Sequence, residues 1–271
     1  MTATDATYRV YAVRYARTVR RERERFLDGT GGDEPLGMDY FVWAVVGDER
    51  TIVVDTGFDA DAARGRGREL VLPVDAGLAS IGVDHTAVAD VVITHLHYDH
   101  AGNADLFPRA TFHLQDREMA YATGRHMAHA PLRHPYEVED TVTAVRRVYG
   151  GRVRFHDGDA RIAPGVTTHL VGGHARGLQV VRVATERGDV VLASDAAHFY
   201  DNYTQRRAFP VLCDLDELLE GYDRVAALAA SPDHVIPGHD PEVLTRYPPP
   251  EPALSGSVAR LDVPPVAQEE R

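Results

Sequence analysis

Short apolar runs separated by glycine, aspartate and proline make up most of this chain. Runs rich in β-branched and aromatic residues predict strands at residues 8–15, 41–46, 51–54, 91–94, 110–114, 152–155, 166–171, 178–184 and 189–194. The break Gly47-Asp48-Glu49 between the second and third runs is typical of a hairpin. Along the chain the runs fall into two sets, which indicates two sheets.

Apolar residues at helical spacing mark residues 215–229. They recur at i, i+3, i+4 and i+7 and comprise Leu215, Leu218, Leu219, Tyr222, Val225, Ala226 and Ala229. Such a stripe predicts an amphipathic helix that covers a sheet. Shorter helices are predicted at residues 74–81, 115–123 and 138–148. The pattern therefore favours an α/β (α+β) architecture of two sheets faced by helices.

Three charged or proline-containing segments are predicted to lie on the surface. Residues 17–25 form a dense charge run, typical of a solvated helix face or a loop. Residues 59–70 carry arginines between glycines and are predicted to be exposed and mobile. Pro131 and Pro135 interrupt regular structure in residues 124–135. That last segment contains three histidines that we interpret as surface or pocket-rim residues: His126, His129 and His134.

The length of 271 residues suits one large α/β domain or two small ones. Hydrophobic residues make up 44% of the chain, which is enough for a core and disfavours a disordered protein. We predict a single domain over residues 1–250. Residues 251–271 follow the run Pro248-Pro249-Pro250 and are predicted to be an extended, poorly packed tail.

Charge and cysteine content exclude several classes of protein. The net charge of −12 disfavours nucleic-acid binding, which needs a basic footprint. Cys213 is the single cysteine, so no intrachain disulfide can form, and we interpret it as a packed residue rather than a nucleophile. The N-terminus lacks the layout of a signal peptide, and no run of 18 apolar residues could span a membrane. We therefore expect a cytoplasmic protein.

The predicted strand at residues 91–94 leads directly into a cluster of metal-binding residue types. His95, His97, Asp99 and His100 follow within six residues, and Gly102 then permits a tight turn. Imidazole and carboxylate are ligands that zinc, iron and manganese accept. Four such side chains directly after an apolar strand therefore predict a metal site.

Three later positions repeat this layout of an apolar strand, small residues and then a ligand. They are His174 after Val171-Gly172-Gly173, Asp195 after Leu192-Ala193-Ser194, and His239 after Val235-Ile236-Pro237-Gly238. Strands converging on one sheet edge would bring these side chains together with the first cluster. The set is large enough for two metal ions.

The motifs together resemble the metallo-β-lactamase fold superfamily, and within it the N-acyl-homoserine lactonase-like group. The motifs that carry the resemblance are Asp55-Thr56-Gly57, the His95–His100 stretch, Gly173-His174-Ala175-Arg176-Gly177-Leu178-Gln179, Ser194-Asp195-Ala196 and Gly238-His239-Asp240. The resemblance implies a four-layer αββα sandwich with two Zn²⁺ ions, or other divalent transition metals, at one edge.

The resemblance also implies a role for each candidate ligand. The first metal would be held by His95, His97 and His174, and the second by Asp99, His100 and His239. Asp195 would bridge the two ions. Asp55 would orient a metal ligand through a hydrogen bond.

One departure from the group concerns the substrate. Related lactonases often place a tyrosine three residues after the bridging aspartate, whereas this chain has His198. We expect His198, or Tyr203, to donate a hydrogen bond to the substrate carbonyl or oxyanion. Asp99 would also carry a proton to the leaving alkoxide. Four arginines are candidates to pair with a substrate carboxylate: Arg64, Arg66, Arg68 and Arg176.

The function implied by the resemblance is hydrolysis of a small lactone, with N-acyl homoserine lactones as the leading, quorum-quenching substrates. The alternatives are another lactone such as a pyridoxolactone, a thioester as in glyoxalase II, and a flavodiiron-like redox activity. A non-enzymatic metal-binding module is disfavoured because the ligand set is complete. Members of the group are often dimers, so a homodimer is also an expectation.

Overall fold

Two sheets form the centre of the protein. The computed structural model describes residues 6–266. The strands are β1 (Arg9–Arg21), β2 (Pro35–Val46), β3 (Thr51–Val54), β4 (Glu69–Leu70), β5 (Asp90–Val92), β6 (Thr111–Gln115), β7 (Val153–His156), β8 (Ala160–Ala163), β9 (Val166–Leu170), β10 (Gln179–Thr185), β11 (Gly188–Ser194), β12 (Val235–Pro237) and β13 (Val258–Arg260).

Mostly short helices connect the strands. The helices are α1 (Ala60–Arg66), α2 (Val74–Ser80), α3 (Tyr98–Ala101), α4 (Asp116–Ala122), α5 (Ala130–Arg133), α6 (Val138–Tyr149), α7 (Tyr200–Thr204), α8 (Leu215–Leu228) and α9 (Val243–Arg246). Within residues 6–266, none of them is both long and apolar enough to cross a bilayer.

The first sheet has the order β13-β1-β2-β3-β5-β6-β7, with β4 paired to β1, and the second has the order β12-β11-β10-β9-β8. β2 and β3 form the predicted antiparallel hairpin. β3, β5, β6 and β7 run parallel to one another, as do β11 and β12. Because parallel neighbours end on the same side, their carboxyl ends form one edge in each sheet.

Alternation along β1 shows how the layers stack. Val10 and Ala12 point into the apolar layer between the sheets, where they join Val181 and Leu192 of the second sheet. Tyr11 and the other alternate residues of β1 instead pack under α1, α2 and α4. On the outer face of the second sheet, α8 supplies the buried Val225. The protein is a four-layer αββα sandwich, as predicted.

The charged segments are more regular than the sequence indicated. β1 continues to Arg21 because β2 pairs with it as far as Arg21 opposite Pro35, and exposed ion pairs of Arg17 with Glu69 and of Arg21 with Asp33 accompany this pairing. The prediction of a loop or helix face at residues 17–25 is thus wrong for most of the segment. Residues 59–70 hold α1, which the Asp59 carboxylate caps by accepting from two backbone N–H groups.

The predicted tail packs against the domain over its described part. β13 pairs antiparallel with β1, and Val258, Ala259 and Leu261 are buried. The prediction of an extended tail is therefore wrong for residues 251–266, and residues 267–271 lie outside the described part. The prediction that Pro131 interrupts regular structure is also wrong. Pro131 stands in the first turn of α5, where its missing N–H is not needed.

Candidate metal centre

One edge of the sandwich collects the first four candidate ligands. β5 ends at Val92, and the loop that follows carries His95 and His97. The short helix α3 begins directly afterwards and presents Asp99 and His100. All four side chains are buried.

The second sheet supplies the other three candidate ligands from the same edge. His174 follows β9, Asp195 follows β11 and His239 follows β12. β9 and β11 are both antiparallel to β10, and β12 is parallel to β11, so these three strands end on one side. The structure thus brings together all seven residues that the sequence singled out.

The first group consists of three imidazoles in mutual contact. His174 Nε2 lies 3.2 Å from His95 Nε2 and 2.9 Å from His97 Nδ1. It also lies 3.2 Å from Asp195 Oδ2. These atoms surround a single point, as ligands of one ion must.

The second group consists of Asp99, His100 and His239. The nitrogens His100 Nε2 and His239 Nε2 lie 3.2 and 3.1 Å from Asp195 Oδ1. Each of them is also 3.8 Å from an Asp99 carboxylate oxygen. His239 Nε2 also lies 3.2 Å from Asp195 Oδ2, so the Asp195 carboxylate lies between the two groups and contacts both.

Unsatisfied buried atoms show that the side chains fit metal ions. His100 Nε2 and Asp195 Oδ1 lie 3.2 Å apart, but their contact lacks hydrogen-bond geometry and neither buried atom has another hydrogen-bond partner among the described residues. This arrangement is costly unless an ion or water completes it. Two nitrogens bound at about 2.0–2.1 Å to one tetrahedral ion are about 3.3 Å apart, close to the 3.2 Å between His95 and His174. Among the described residues, the ligand atoms in each of four overlapping groups of three residues lie within 4.8 Å of one another.

Burial sets the charge of the imidazoles. It lowers the pKa of His95 and of His97 well below 6.5, and it lowers the pKa of His174. Their nitrogen lone pairs are thus free for coordination at neutral pH. His100 differs: burial also acts to lower its pKa, but Asp195, Asp55 and Asp99 outweigh it and raise the pKa well above 6.5.

A buried network around Asp55 fixes the motif loop. The Asp55 carboxylate accepts from Thr94 N at 2.7 Å and from Thr94 Oγ1 at 2.8 Å, and it lies 2.7 Å from His100 Nδ1. The last contact is a hydrogen bond through which Asp55 would orient His100 if His100 binds a metal ion. Thr94 Oγ1 also contacts Ser194 Oγ of the second sheet at 3.0 Å. Asp55 and Ser194 both have positive φ, 62° and 46°, so backbone strain is located beside the ligands.

Glu118 is a second organising residue, and the sequence analysis did not identify it. Its buried carboxylate accepts from Leu96 N and Gly177 N at 2.9 Å each, and from Tyr136 Oη at 3.0 Å. It thereby joins the loop that carries His95 and His97 to the loop after His174. A glutamate near the start of a short helix carries no distinguishing local pattern, so the sequence held no signal for it.

His198 lies in the centre, beside the carboxylate that both groups share. Its Nε2 is 3.0 Å from Asp195 Oδ2, and its ring stacks on Phe209 at 3.7 Å. Burial lowers the pKa of His198 to about 3 although Asp195 acts to raise it. A neutral imidazole facing a carboxylate must donate its Nε2–H, so in this structure that proton is directed at Asp195.

A cavity of about 240 Å³ opens above the two groups. Its lining includes Asp99, His198, Tyr98, Tyr136 and Leu212, as well as three arginines. The cavity thus joins the candidate ligands to a mixed aromatic and basic wall.

Two of the predicted substrate contacts, Tyr203 and Arg176, lie outside the cavity. The Tyr203 hydroxyl donates to the Pro232 carbonyl oxygen at 3.1 Å, and Arg176 pairs with Asp214 at 2.9 Å. Neither residue lines the cavity, because Tyr203 is held by the turn before β12 and Arg176 by the residue that caps α8. The assignment of Tyr203 and Arg176 as substrate contacts is therefore corrected.

Other sequence candidates divide between the cavity and the surface. Arg66 and Arg68 line the cavity, whereas Arg64 is exposed and pairs with Asp61. His134 also lines the cavity, while His126 and His129 are exposed. These positions agree with the interpretation of the three histidines as surface or rim residues.

Comparisons with known proteins agree with this geometry. Residues 37–246 match the family model of the metallo-beta-lactamase superfamily. The N-acyl homoserine lactonase AttM of Azorhizobium caulinodans is 28% identical over 180 residues, which are 62% of this chain and 64% of that protein. The N-acyl homoserine lactonase AiiB of Agrobacterium fabrum is 32% identical over 155 residues, 55% of this chain and 54% of that protein. The similarity thus covers less than two thirds of either relative.

Solved structures share the fold over a longer stretch. A crystal structure of a quorum-quenching N-acyl homoserine lactone lactonase superposes with a TM-score of 0.74 at 23% identity. The match covers 88% of this chain and 95% of the other. At 23% identity, this structural similarity establishes the shared fold.

Proposed function

Because the chain belongs to the metallo-β-lactamase superfamily, we propose that it hydrolyses the ester bond of a small lactone with two divalent metal ions. The observation that carries this proposal is the pair of ligand groups that share Asp195 beneath an open cavity. Two relatives are N-acyl homoserine lactonases, which makes N-acyl homoserine lactones the first substrates to test.

The two ions are proposed to be Zn²⁺, because histidine and aspartate in this number suit it. His95, His97 and His174 would hold one ion, and Asp99, His100 and His239 the other, with Asp195 between them. When bound, such a pair supplies Lewis acidity and lowers the pKa of a coordinated water.

The side chains of the protein have two further tasks in lactone opening. When water adds to the carbonyl carbon, the acyl C–O bond breaks and the ring oxygen must gain a proton. Asp99 is the proposed carrier of that proton, which is supported by the contact of its carboxylate with both the second group and the cavity. The Tyr15 hydroxyl donates to the backbone carbonyl oxygen of Asp99 at 2.7 Å and so holds the backbone of Asp99 in position. His198 is the proposed donor to the developing oxyanion, since metal ions held by Asp195 would release the His198 Nε2–H from that carboxylate.

The size of the cavity supports a compact substrate. Ligand pockets commonly measure about 300–1,000 Å³, and this one is near 240 Å³. A lactone ring with a short substituent fits such a volume better than one with a long acyl chain.

Three further expectations from the sequence stay predictions. They are a cytoplasmic location, a homodimeric assembly and the absence of nucleic-acid binding. The net charge of −12 supports the last of these.

The test combines metal analysis with turnover. Protein purified without added metal should contain close to two metal ions per chain and should open N-hexanoyl homoserine lactone, with acid release as the readout. The double variant His95→Ala/His97→Ala should lose metal and activity while it stays folded. The matched control is His129→Ala, which removes an exposed histidine.

Two outcomes would contradict the proposal. Folded wild-type protein that holds almost no metal would argue against the dinuclear centre. Turnover of a thioester such as S-lactoylglutathione, with no lactone opened, would transfer the protein to the glyoxalase II-like class.

A further inference from the structure

Three arginines line the cavity, and they differ in how their charges are satisfied. They are Arg20, Arg66 and Arg68. The protein as a whole is strongly acidic, with a net charge of −12, so positive charge in this cavity is a local feature that calls for an explanation.

Arg66 is fully occupied by the protein itself. Its guanidinium pairs with Glu137, donates to the backbone carbonyl oxygens of His134 and Tyr136, and lies 3.9 Å from the Tyr98 ring centroid. Arg66 therefore stabilises the rim of the cavity, and its hydrogen-bond donors are already used by the protein.

Arg68 is held in place but keeps donors free. Its Nε donates to the Tyr98 hydroxyl at 3.1 Å, while both Nη atoms have no hydrogen-bond partner among residues 6–266. Burial acts to lower the pKa of Arg68, and it is outweighed by Tyr40, Tyr98 and Asp99, which raise it. The Asp99 carboxylate therefore lies within electrostatic range of this guanidinium.

The Tyr40 ring lies close both to Arg68 and to the candidate metal ligand His239. Its guanidinium carbon lies 6.0 Å from the Tyr40 ring centroid, and the Tyr40 ring contacts the His239 ring at 5.1 Å. A single substrate could therefore place its carbonyl at the metal centre and a second group, a few bonds away, at Arg68.

Arg20 adds a second free guanidinium to the same wall. It extends from β1, and within the described part of the chain it forms no ion pair and donates no side-chain hydrogen bond. Arg20 and Arg68 both lower the pKa of Tyr40, whose raised pKa is set chiefly by burial, so the two guanidiniums share one neighbourhood.

We propose that Arg20 and Arg68 form a subsite that binds a carboxylate carried by the lactone substrate. The inference rests on the proposed lactone hydrolysis and names a substrate class within it, a compact anionic lactone. A guanidinium presents parallel N–H donors that match the two oxygens of a carboxylate. The free Nη atoms of Arg68 are the donors with that geometry.

The test compares two lactones that differ only in charge. They are 5-oxotetrahydrofuran-2-carboxylate and its neutral carboxamide, each assayed for kcat/KM with wild type, Arg68→Met and Arg20→Met. Wild type should favour the carboxylate. Arg68→Met should lower kcat/KM for the carboxylate by about tenfold to a hundredfold, the usual effect of a lost hydrogen bond to a charged group, and should leave the carboxamide almost unchanged.

Three further measurements separate charge recognition from structural damage. Arg68→Lys should recover part of the loss, because it restores the charge without the fork. Arg125→Met removes an exposed arginine outside the cavity and should match wild type. In calorimetric titrations of metal-analysed protein, binding of the ring-opened product 2-hydroxyglutarate should weaken in Arg68→Met by a factor similar to that seen in kcat/KM.

The outcomes distinguish this inference from the proposed function. Equal losses for the carboxylate and the carboxamide, or no loss in either arginine variant, would overturn the carboxylate subsite while lactone hydrolysis stands. Arginine-dependent binding of 2-hydroxyglutarate by a protein that opens no lactone would keep the subsite and remove the hydrolysis. If Arg68→Met fails to fold, Arg68→Lys and Arg20→Met decide, since each keeps most of the side-chain packing.

Discussion

The Asp195 carboxylate is surrounded by four imidazoles. Oδ1 faces His100 and Oδ2 faces His174 and His198, while His239 Nε2 lies 3.1 Å from Oδ1 and 3.2 Å from Oδ2. Burial acts to raise its pKa, yet the surrounding histidines outweigh burial and hold the pKa well below its usual value. The side chain therefore stays anionic at neutral pH, as a carboxylate between two cations must.

His198 offers a test of a single hydrogen bond. His198→Ala should lower kcat for lactone opening by about tenfold to a thousandfold, the range found when one oxyanion donor is removed, and should leave the metal content intact. Metal analysis and steady-state kinetics check both parts. His198→Gln, which keeps an N–H donor, should lose less. An unaltered rate in His198→Ala would reduce the residue to a wall of the cavity.

Cys213 lines the cavity but is not expected to react. Burial raises the pKa of its thiol to about 12, so the thiolate that a nucleophile requires is almost absent at neutral pH. Cys213→Ser should therefore keep kcat/KM within about threefold of wild type, since the change is nearly isosteric. Loss of activity in folded, metal-loaded Cys213→Ser protein would refute hydrolysis by an activated water.

At the scale of elements, the sequence predicted well what depends on local pattern. Apolar runs predicted most strands, and the repeated layout of an apolar strand, small residues and a ligand predicted that His95, His174 and Asp195 meet at one sheet edge. What it missed depends on partners distant in the chain. β13 is a strand only because it pairs with β1, and β4 only because it pairs with β1 near Arg17.

The organising residues were missed for the same physical reason. Glu118 works because two N–H groups from separate loops meet its carboxylate, and neither encounter leaves a mark in the local sequence. Arg20 belongs to a charge run, where most arginines have acidic neighbours such as Asp33. Only the folded geometry distinguishes the arginine that faces the cavity.

Gly238 tests how closely two loops must approach. A Cβ at this position would lie 2.7 Å from Asp195 Oδ1 and 2.8 Å from the Ser194 carbonyl oxygen, closer than atoms tolerate. Gly238→Ala should therefore displace Asp195 or His239 and lower the metal content and kcat. Gly65→Ala is the matched control, because its Cβ meets open space in α1 and alanine favours a helix. Equal metal content in both variants would contradict the predicted crowding.

At the scale of the whole molecule, the metal centre joins the two sheets. His95, His97, Asp99 and His100 come from the first sheet, and His174, Asp195 and His239 from the second. Binding of metal ions to this set is available only to the folded chain, so it adds to the free energy of unfolding. Removal of metal should therefore weaken the contact between the sheets and lower stability.

The pH dependence of metal-stripped protein should reveal the state of the histidines. Burial holds the pKa of His95 and His97 well below 6.5, so on acidification the unfolded chain takes up protons there before the folded chain does. Stability from these groups is lost as pH falls below 6.5. His100 acts in the opposite direction: its pKa is raised, so its contribution is complete below 6.5 and is lost as pH rises through the raised pKa.

His174 and His198 have lowered pKa values too. Protonation of four buried histidines on acidification therefore destabilises the fold, against the opposite effect of His100. The urea midpoint of chelator-treated protein should therefore fall between about pH 6.5 and pH 5, as measured by circular dichroism at closely spaced pH values. His129→Ala should follow the same profile, because that side chain is exposed. A midpoint that rises on acidification would mean that the groups with raised pKa values, His100 and buried carboxyl groups such as Glu118 and Asp140, outweigh the neutral imidazoles when no metal is bound.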